Sequence, residues 1–323
     1  MHQLTFTYSQ LSSESVIQLL AEHFALPSPV GCRFYILGLH DNYLIESGGQ
    51  RFVFRVYRGH WRTLAEIEFE LELLAFLGEK TTQVATPLRD HRGELKILID
   101  CPEGQRAASL FSYAPGTSPG TAITPAQGQL LGQTVAQVHQ HARGFTSPHS
   151  RPRLELPYLL DASLAAIDPF LEPDARDYLA ELQVKIHNAL PALPQQPGIY
   201  GICLGDVNLS NFHIDDNQHL TLFDFDQCGF GFRAFEIGKC FASLYTLPNR
   251  QEIAAAFLEG YQAVRSLTPA ESEAIPYYEL VAVIWVAAIH VYNAERVGYK
   301  LLEKPFWARR LGVLKDLQAR LPS

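Results

Sequence analysis

The sequence predicts an α+β fold in two parts, with a small antiparallel sheet first and a larger, mainly helical region after it. Its 323 residues, of which 47% are hydrophobic, are enough for two lobes with buried cores. Strand-like runs separated by turn signals fill the first third of the chain. Helix capping boxes at Thr124 and Thr268 and apolar residues at helical spacing follow. We therefore predict an N-terminal lobe over 1–113 and a C-terminal lobe over 114–323.

The first lobe is predicted to contain two helices and several short strands. Turn signals at 47–50 and 91–93 separate strand-like runs, which indicates hairpins and hence antiparallel pairing. A turn is also expected over 38–42, with Asn42 inside it. The predicted helices span 12–24 and 62–77, and the predicted strands span 34–37, 43–45, 51–57, 85–90, 94–100 and 107–113.

One strand and the helix after it carry the charged candidates of this lobe. The strand alternates with period two, so Val53 and Arg55 share a face. Arg55 is a candidate for binding phosphate, because arginine can bind two phosphate oxygens at once. The alternative interpretation is that Arg55 is a solvent-exposed arginine on an edge strand. Arg58 is the next candidate for that role. In the helix, Glu70 borders the apolar stripe, and Glu66, one turn earlier, is the alternative to it.

The second lobe is predicted to be helical around one irregular stretch. A loop rich in Gly, Thr, Ser and Pro over 116–124 marks the lobe boundary. His139, on the first helix after this loop, is expected to be a packed structural histidine. The predicted helices span 124–143, 159–190 with a break between Pro169 and Pro173, 235–244, 252–261 and 277–297.

The irregular stretch, residues 200–230, carries the candidate chemistry. Asp206 and Asn211 have the spacing D-x-x-x-x-N, and Asp224 follows a second short apolar run. In phosphoryl transfer, one aspartate orients the attacking hydroxyl, while an asparagine and a second aspartate hold the Mg²⁺ that bridges the nucleotide phosphates. Each half of this pattern is common by chance. The ordered combination, with an apolar strand before each aspartate, is far more specific.

Residues 205–211 and 222–226 make the chain resemble the superfamily of aminoglycoside phosphotransferases, choline kinases and type II homoserine kinases. The resemblance covers roughly residues 30–300 and implies a two-lobed protein-kinase-like fold. The chain departs from the usual H-G-D pattern at Leu204, and it has Glu236 where relatives commonly have an aspartate that braces the catalytic loop. Neither departure removes a group that touches phosphate or metal.

The resemblance also implies roles for the candidate residues. Asp206 would be the positioning base, and Asn211 and Asp224 would be Mg²⁺ ligands. Arg55, held by Glu70, would grip the phosphates. The other implied positions are Asp226 beside the second metal or the loop, Asn42 in the phosphate-covering turn, Val53 against the base, and Ser112 and Tyr113 in the hinge that bonds the adenine edge.

The activity that this resemblance implies is transfer of the γ-phosphoryl group of ATP, or of GTP, to a hydroxyl of a small molecule with Mg²⁺. The acceptor stays open among amino alcohols, amino acids, sugars and aminoglycosides. Helices near the C-terminus would line its pocket. A protein serine/threonine kinase of the same fold is the first alternative. A catalytically silent nucleotide-binding module, suggested by Leu204 and Glu236, is the second.

Composition limits the partners and the location. The formal net charge of -8 argues against general nucleic-acid binding and against binding to an anionic membrane surface. The five cysteines include no C-x-x-C pair, which is typical of a reduced compartment and of a chain without structural zinc. No signal-peptide pattern opens the sequence, and the apolar run 280–292 is too short to span a bilayer. We expect a cytoplasmic protein, and its oligomeric state stays open.

Overall fold

A computed structural model describes residues 5–190 and 192–321 of the chain. Contacts divide the protein into two compact units. The first unit contains the residues up to Pro115 together with 145–151 and 221–223, and the second contains 116–144, 152–220 and the residues from Asp224 onward. The sequence did not indicate that the two short later segments belong with the first unit. The exact division after residue 113 stays a prediction.

The first unit is built on a five-stranded antiparallel sheet, as the hairpin signals predicted. The strand order is β1-β2-β3-β5-β4, and two helices accompany the sheet. Val16 and Leu20 of the first helix are fully buried with sheet residues such as Tyr43 and Phe54, so the core joins helix and sheet. The elements are α1 (Ser13–His23), β1 (Val30–Leu37), β2 (Asp41–Ser47), β3 (Gln50–Val56), α2 (Leu64–Gly78), β4 (Ile97–Cys101) and β5 (Gly104–Ser112).

Two local predictions for this unit are wrong. Residues 85–90 do not form a strand, because Pro87 has no N–H to donate and the segment makes only an isolated bridge, between Pro87 and Phe111. Asn42 does not lie in the turn after β1, since the turn ends earlier and Asn42 is the second residue of β2. There it pairs with Arg55 of β3. The hairpin partner predicted over 94–100 begins only at Ile97.

The second unit is mainly helical, and its longest helix is buried. Helix α8 is long and apolar enough to cross a membrane by length and composition, with a mean hydropathy of 1.6 over its most apolar window. However, 67% of that window is buried inside the protein, and a core helix has the same composition, so length and composition indicate a membrane span only weakly. The helices are α3 (Pro125–His141), α4 (Ala162–Ile167), α5 (Pro173–Ala189), α6 (Arg233–Ser243), α7 (Arg250–Val264), α8 (Pro269–Val297) and α9 (Lys304–Gln318).

Four short strands position the stretch that carries the candidate chemistry. They are β6 (Tyr200–Cys203), β7 (Phe212–Ile214), β8 (Leu220–Leu222) and β9 (Gly229–Phe232). β6 pairs antiparallel with β9, so the two ends of the stretch are tied together. Helix α6 starts directly after β9. The predicted runs at 202–204 and 220–223 correspond to β6 and β8, whereas β9 and α9 were not predicted.

Candidate active site

The loop between β6 and β7 turns sharply at Gly205. Gly205 has φ +83, and a Cβ atom there would lie 2.0 Å from the carbonyl oxygen of Gln227, so only glycine fits. Inside the loop, Asn208 accepts the N–H of Ser210 at 2.8 Å and donates to the Asp206 carbonyl at 3.2 Å. The loop therefore holds Asp206 by local hydrogen bonds as well as by a backbone that tolerates no side chain before it.

Asn211 contacts Asp206 through its amide nitrogen. Its Nδ2 donates to the Asp206 carbonyl oxygen at 2.9 Å and to Asp206 Oδ2 at 3.0 Å. These two acceptors identify the nitrogen, so the amide oxygen of Asn211 lies on the other side of the group. An amide oxygen is a suitable ligand for a hard divalent cation. The structure thus brings together the two residues that the D-x-x-x-x-N spacing singled out.

Lys239 of α6 reaches the other oxygen of the same carboxylate. Its Nζ lies 2.5 Å from Asp206 Oδ1, and its side chain is 5% exposed, whereas that of Asp206 is 30% exposed. The sequence reasoning did not identify Lys239. A signal was present: Arg233, Glu236 and Lys239 are three residues apart on a helix whose other inward residues are apolar, and all three are buried.

Glu236 braces the loop from the same helix. Its carboxylate accepts the backbone N–H groups of Leu204 and Gly205, the latter at 3.0 Å. Glutamate therefore makes here the contact that the resemblance assigned to an aspartate. Burial raises the pKa of Glu236 to about 7, although the two backbone N–H donors and the Lys239 charge oppose the rise.

His139 packs beneath this brace, as the sequence suggested. It is fully buried on α3, with Nδ1 3.0 Å from the Tyr261 hydroxyl and Nε2 3.4 Å from Glu236 Oε2. Burial lowers the pKa of His139 well below its ordinary value, and the Arg233 charge lowers it further, so the ring is neutral near pH 7. His139 therefore supports Glu236 from a fully buried position that solvent does not reach.

The cluster of His139, Cys203 and Glu236 has ligand atoms within 4.8 Å of one another. Burial raises the pKa of the Cys203 thiol well above its ordinary value, whereas a metal requires the thiolate. The Cys203 sulfur also donates to the Phe232 carbonyl at 3.6 Å. We interpret this cluster as packing beneath the loop.

Asp224 and Asp226 have different surroundings. Asp224 follows β8 with φ +62, a left-handed conformation that non-glycine residues seldom adopt and that is common at functional sites. It is half-buried. Asp226 is only 2% exposed, and its Oδ2 accepts from the Gln227 side chain at 3.0 Å. Of the two, Asp224 is the carboxylate that solvent and ligands can reach.

In the first unit, the structure brings Arg55, Glu70 and Asn42 together. Arg55 is 8% exposed, and its Nη1 lies 3.1 Å from Oε1 of the fully buried Glu70. Its Nε donates to Asn42 Oδ1 at 3.3 Å. The alternative Glu66 is used differently, because it closes the capping box of α2 with Thr63. Arg55 is therefore not the solvent-exposed arginine of the alternative interpretation.

The remaining candidates of this unit lie on β3 and β5. Val53 is half-buried and pairs with Phe111 across the sheet. Ser112 exchanges hydrogen bonds with Thr86: its N–H donates to the Thr86 carbonyl at 2.9 Å and its hydroxyl accepts the Thr86 N–H at 2.9 Å. Tyr113 follows the strand with the Arg51 guanidinium 4.1 Å from its ring centre.

The family model described as "Phosphotransferase enzyme family" matches residues 36–274. The chain belongs to this phosphotransferase family. This stretch contains Arg55, Glu70, the Asp206 loop and Asp224. The resemblance stated from the motif is thereby confirmed, and the protein is a phosphotransferase of the small-molecule kinase type.

The sequence comparison finds relatives that match most of the chain. A protein from Synechocystis sp. is 39% identical over 312 residues, which cover 96% of this chain and 86% of that protein. A homoserine kinase from Phenylobacterium zucineum is 26% identical and covers 90% of this chain and 89% of its own length.

Among solved structures, a microcompartment-associated aminopropanol kinase is similar, with a TM-score of 0.80 at 22% identity, covering 95% of this chain and 97% of that chain. The choline kinase of Cryptosporidium parvum has a TM-score of 0.67 at 11% identity, with 96% and 97% covered. At these identities the likeness establishes the fold, which is the predicted protein-kinase-like α+β fold.

Proposed function

We propose that this phosphotransferase moves the γ-phosphoryl group of ATP to an aliphatic hydroxyl of a small molecule. The observation that supports it best is the Asp206 carboxylate, with Lys239 on one oxygen and Asn211 on the other. A partly exposed carboxylate fixed at both oxygens can receive a hydroxyl in one orientation. GTP is the alternative donor, since the same groups would bind its phosphates.

In the proposed reaction, Asp206 acts as the positioning base. The acceptor hydroxyl donates its hydrogen bond to the carboxylate, which directs an oxygen lone pair toward the γ-phosphorus. As the new O–P bond forms, the bond from the γ-phosphorus to the bridging oxygen breaks and the nucleoside diphosphate leaves. The hydroxyl proton passes to Asp206. Groups in this role typically contribute about 10²- to 10⁴-fold to the rate.

The donor set fits Mg²⁺, which prefers oxygen ligands. Asn211 would bind it through the amide oxygen, since the nitrogen is bonded to Asp206, and Asp224 would add a carboxylate. When bound, the cation neutralises charge on the nucleotide phosphates. We assign Asp226 to holding the turn after Asp224, because it is buried and bonded to Gln227.

The Arg55 cluster is proposed to bind the nucleotide phosphates. Glu70 holds one nitrogen of the guanidinium and Asn42 a second, so the group is oriented before any ligand arrives. A guanidinium also remains charged at all relevant pH values. Val53 would contact the base, and the backbone at Ser112 and Tyr113 would bond its edge.

The acceptor we propose is a small amino alcohol or a hydroxy amino acid. Support comes from the similar proteins, which include an aminopropanol kinase in the structural comparison and homoserine kinases in the sequence comparison. Both substrate names describe a short carbon chain with one hydroxyl and one amino group. We also propose a cytoplasmic location, because in the described part of the chain the cysteines are thiols and not disulfides.

An acceptor screen with Mg·ATP tests the proposal. The protein is incubated with aminopropanol, homoserine, choline, a hexose and an aminoglycoside, and ADP release is measured beside Asp206→Asn. We expect turnover with aminopropanol or homoserine that the variant lacks. Turnover with the sugar or aminoglycoside alone would refute the acceptor class. Radiolabel on added protein substrates alone would indicate a protein kinase, and no transfer to any acceptor would indicate a silent module.

A further inference from the structure

We propose that Lys239 is a positioning residue for the catalytic carboxylate, and that its positive charge accelerates the reaction. The inference rests on the proposed role of Asp206 and adds to it a residue outside the D-x-x-x-x-N pattern. Lys239 lies 33 positions after Asp206 in the chain, on a helix. No loop motif could therefore indicate it.

Burial gives the first argument. The Lys239 side chain is 5% exposed, and a buried ammonium is costly unless it is paired. Among the residues that the structure describes, Lys239 Nζ donates its hydrogen bond to Asp206 Oδ1, at 2.5 Å. An apolar side chain would fill this position without the free-energy cost of burying an ammonium group. The contact with the Asp206 carboxylate therefore explains the lysine better than packing does.

The geometry of α6 gives the second argument. Glu236 and Lys239 are three residues apart and so lie on one face of the helix. Glu236 binds the backbone of the loop at Leu204 and Gly205, and Lys239 binds the Asp206 side chain. One helix therefore fixes both the path of the loop and the orientation of its carboxylate.

The two contacts to the carboxylate, one on each oxygen, give the third argument. Lys239 binds Oδ1 from helix α6, and Asn211 binds Oδ2 from within the loop itself. Rotation about the bond to the carboxylate carbon would break both contacts. A hydroxyl oxygen bonded to Oδ1 at about 2.7 Å would lie at most about 5 Å from Nζ, given the 2.5 Å contact. Lys239 is thus close enough to stabilise negative charge on the reacting oxygen.

The test compares Lys239→Ala, Lys239→Arg and Asp206→Asn with Lys96→Ala as the control. Lys96 forms a similar ion pair, 2.6 Å from Glu68, but far along the sequence from the loop motif. We expect Lys239→Ala to lower kcat about 10- to 100-fold while the Kd for Mg·ATP, measured by calorimetry, stays within twofold. Lys239→Arg should retain more activity than Lys239→Ala, and Lys96→Ala should leave kcat unchanged.

Chemical rescue separates positioning from folding. Adding ethylammonium chloride to Lys239→Ala should restore part of kcat, whereas sodium chloride at equal ionic strength should not. If Lys239→Ala keeps full kcat, or if ethylammonium and sodium act alike on a folded variant, the role of Lys239 is refuted. If Asp206→Asn is as active as the wild type, the proposed function itself fails. Should Lys239→Ala be unfolded, a fully active Lys239→Met would also overturn the inference.

Discussion

Replacing Glu236 with alanine should destabilise the protein, and by an amount that depends on pH. Glu236 accepts the backbone N–H groups of Leu204 and Gly205, which are buried. Leaving a buried donor without an acceptor costs about 1–3 kcal/mol, so the two together cost about 2–6 kcal/mol. That is a large part of the roughly 5–15 kcal/mol by which a domain is stable.

The pH dependence follows from the pKa of Glu236, which burial raises from 4.5 to about 7. A carboxyl whose pKa is raised on folding binds its proton more tightly in the folded state, so it stabilises the fold below the unfolded pKa. This stabilisation is lost as pH rises through about 7. The rise in the pKa of Glu236 corresponds to about 3 kcal/mol of unfolding free energy in total. About 2–3 kcal/mol of this is lost between pH 5 and pH 9. Glu236→Ala should therefore cost more at pH 5 than at pH 9.

Urea denaturation of the wild type and Glu236→Ala at pH 5, 7 and 9 measures this difference. Glu273→Ala, at an exposed position of α8, is the matched control and should change stability by less than about 0.5 kcal/mol. Activity should fall as well, because the Asp206 loop loses its support. An equal cost at pH 5 and pH 9, or a larger cost at pH 9, would refute the reasoning.

Three further predictions concern the nucleotide and the metal. Mg·ATP at about a hundred times Kd should stabilise the protein by roughly 2.7 kcal/mol, and a melting temperature that does not move would contradict ATP binding. Arg55→Ala should weaken Mg·ATP binding more than Arg58→Ala, and should also destabilise the fold by about 3–5 kcal/mol because it breaks the buried ion pair with Glu70; equal Kd values in calorimetry would count against this. Asp206→Asn should keep Mg·ATP affinity but lose phosphoryl transfer, whereas Asp224→Asn should lose both. The reverse pattern in calorimetry and single-turnover assays would mean that the two roles are exchanged.

The sequence was informative wherever function depends on residues close together in the chain. The spacing of Asp206 and Asn211 indicated a shared loop, and the two side chains are hydrogen-bonded. Period-two alternation separated Arg55 from Arg58, and Arg55 is the residue that pairs with Glu70. Local periodicity can predict such features because it reports which positions of one element share a face.

Only the tertiary structure decided the contacts between distant elements. Glu66 and Glu70 both border the apolar side of one helix, and the choice depended on which of them β3 approaches. Asn42 lies in a strand because pairing with β3 extends β2. Lys239 and Glu236 reach the Asp206 loop because α6 starts directly after β9, which is paired with β6. The sequence by itself determined the chemical groups and their local spacing. The packing of α6 against the loop decided which charged groups are in contact, because such contacts depend on the direction and rotation of the helix, which no local pattern encodes.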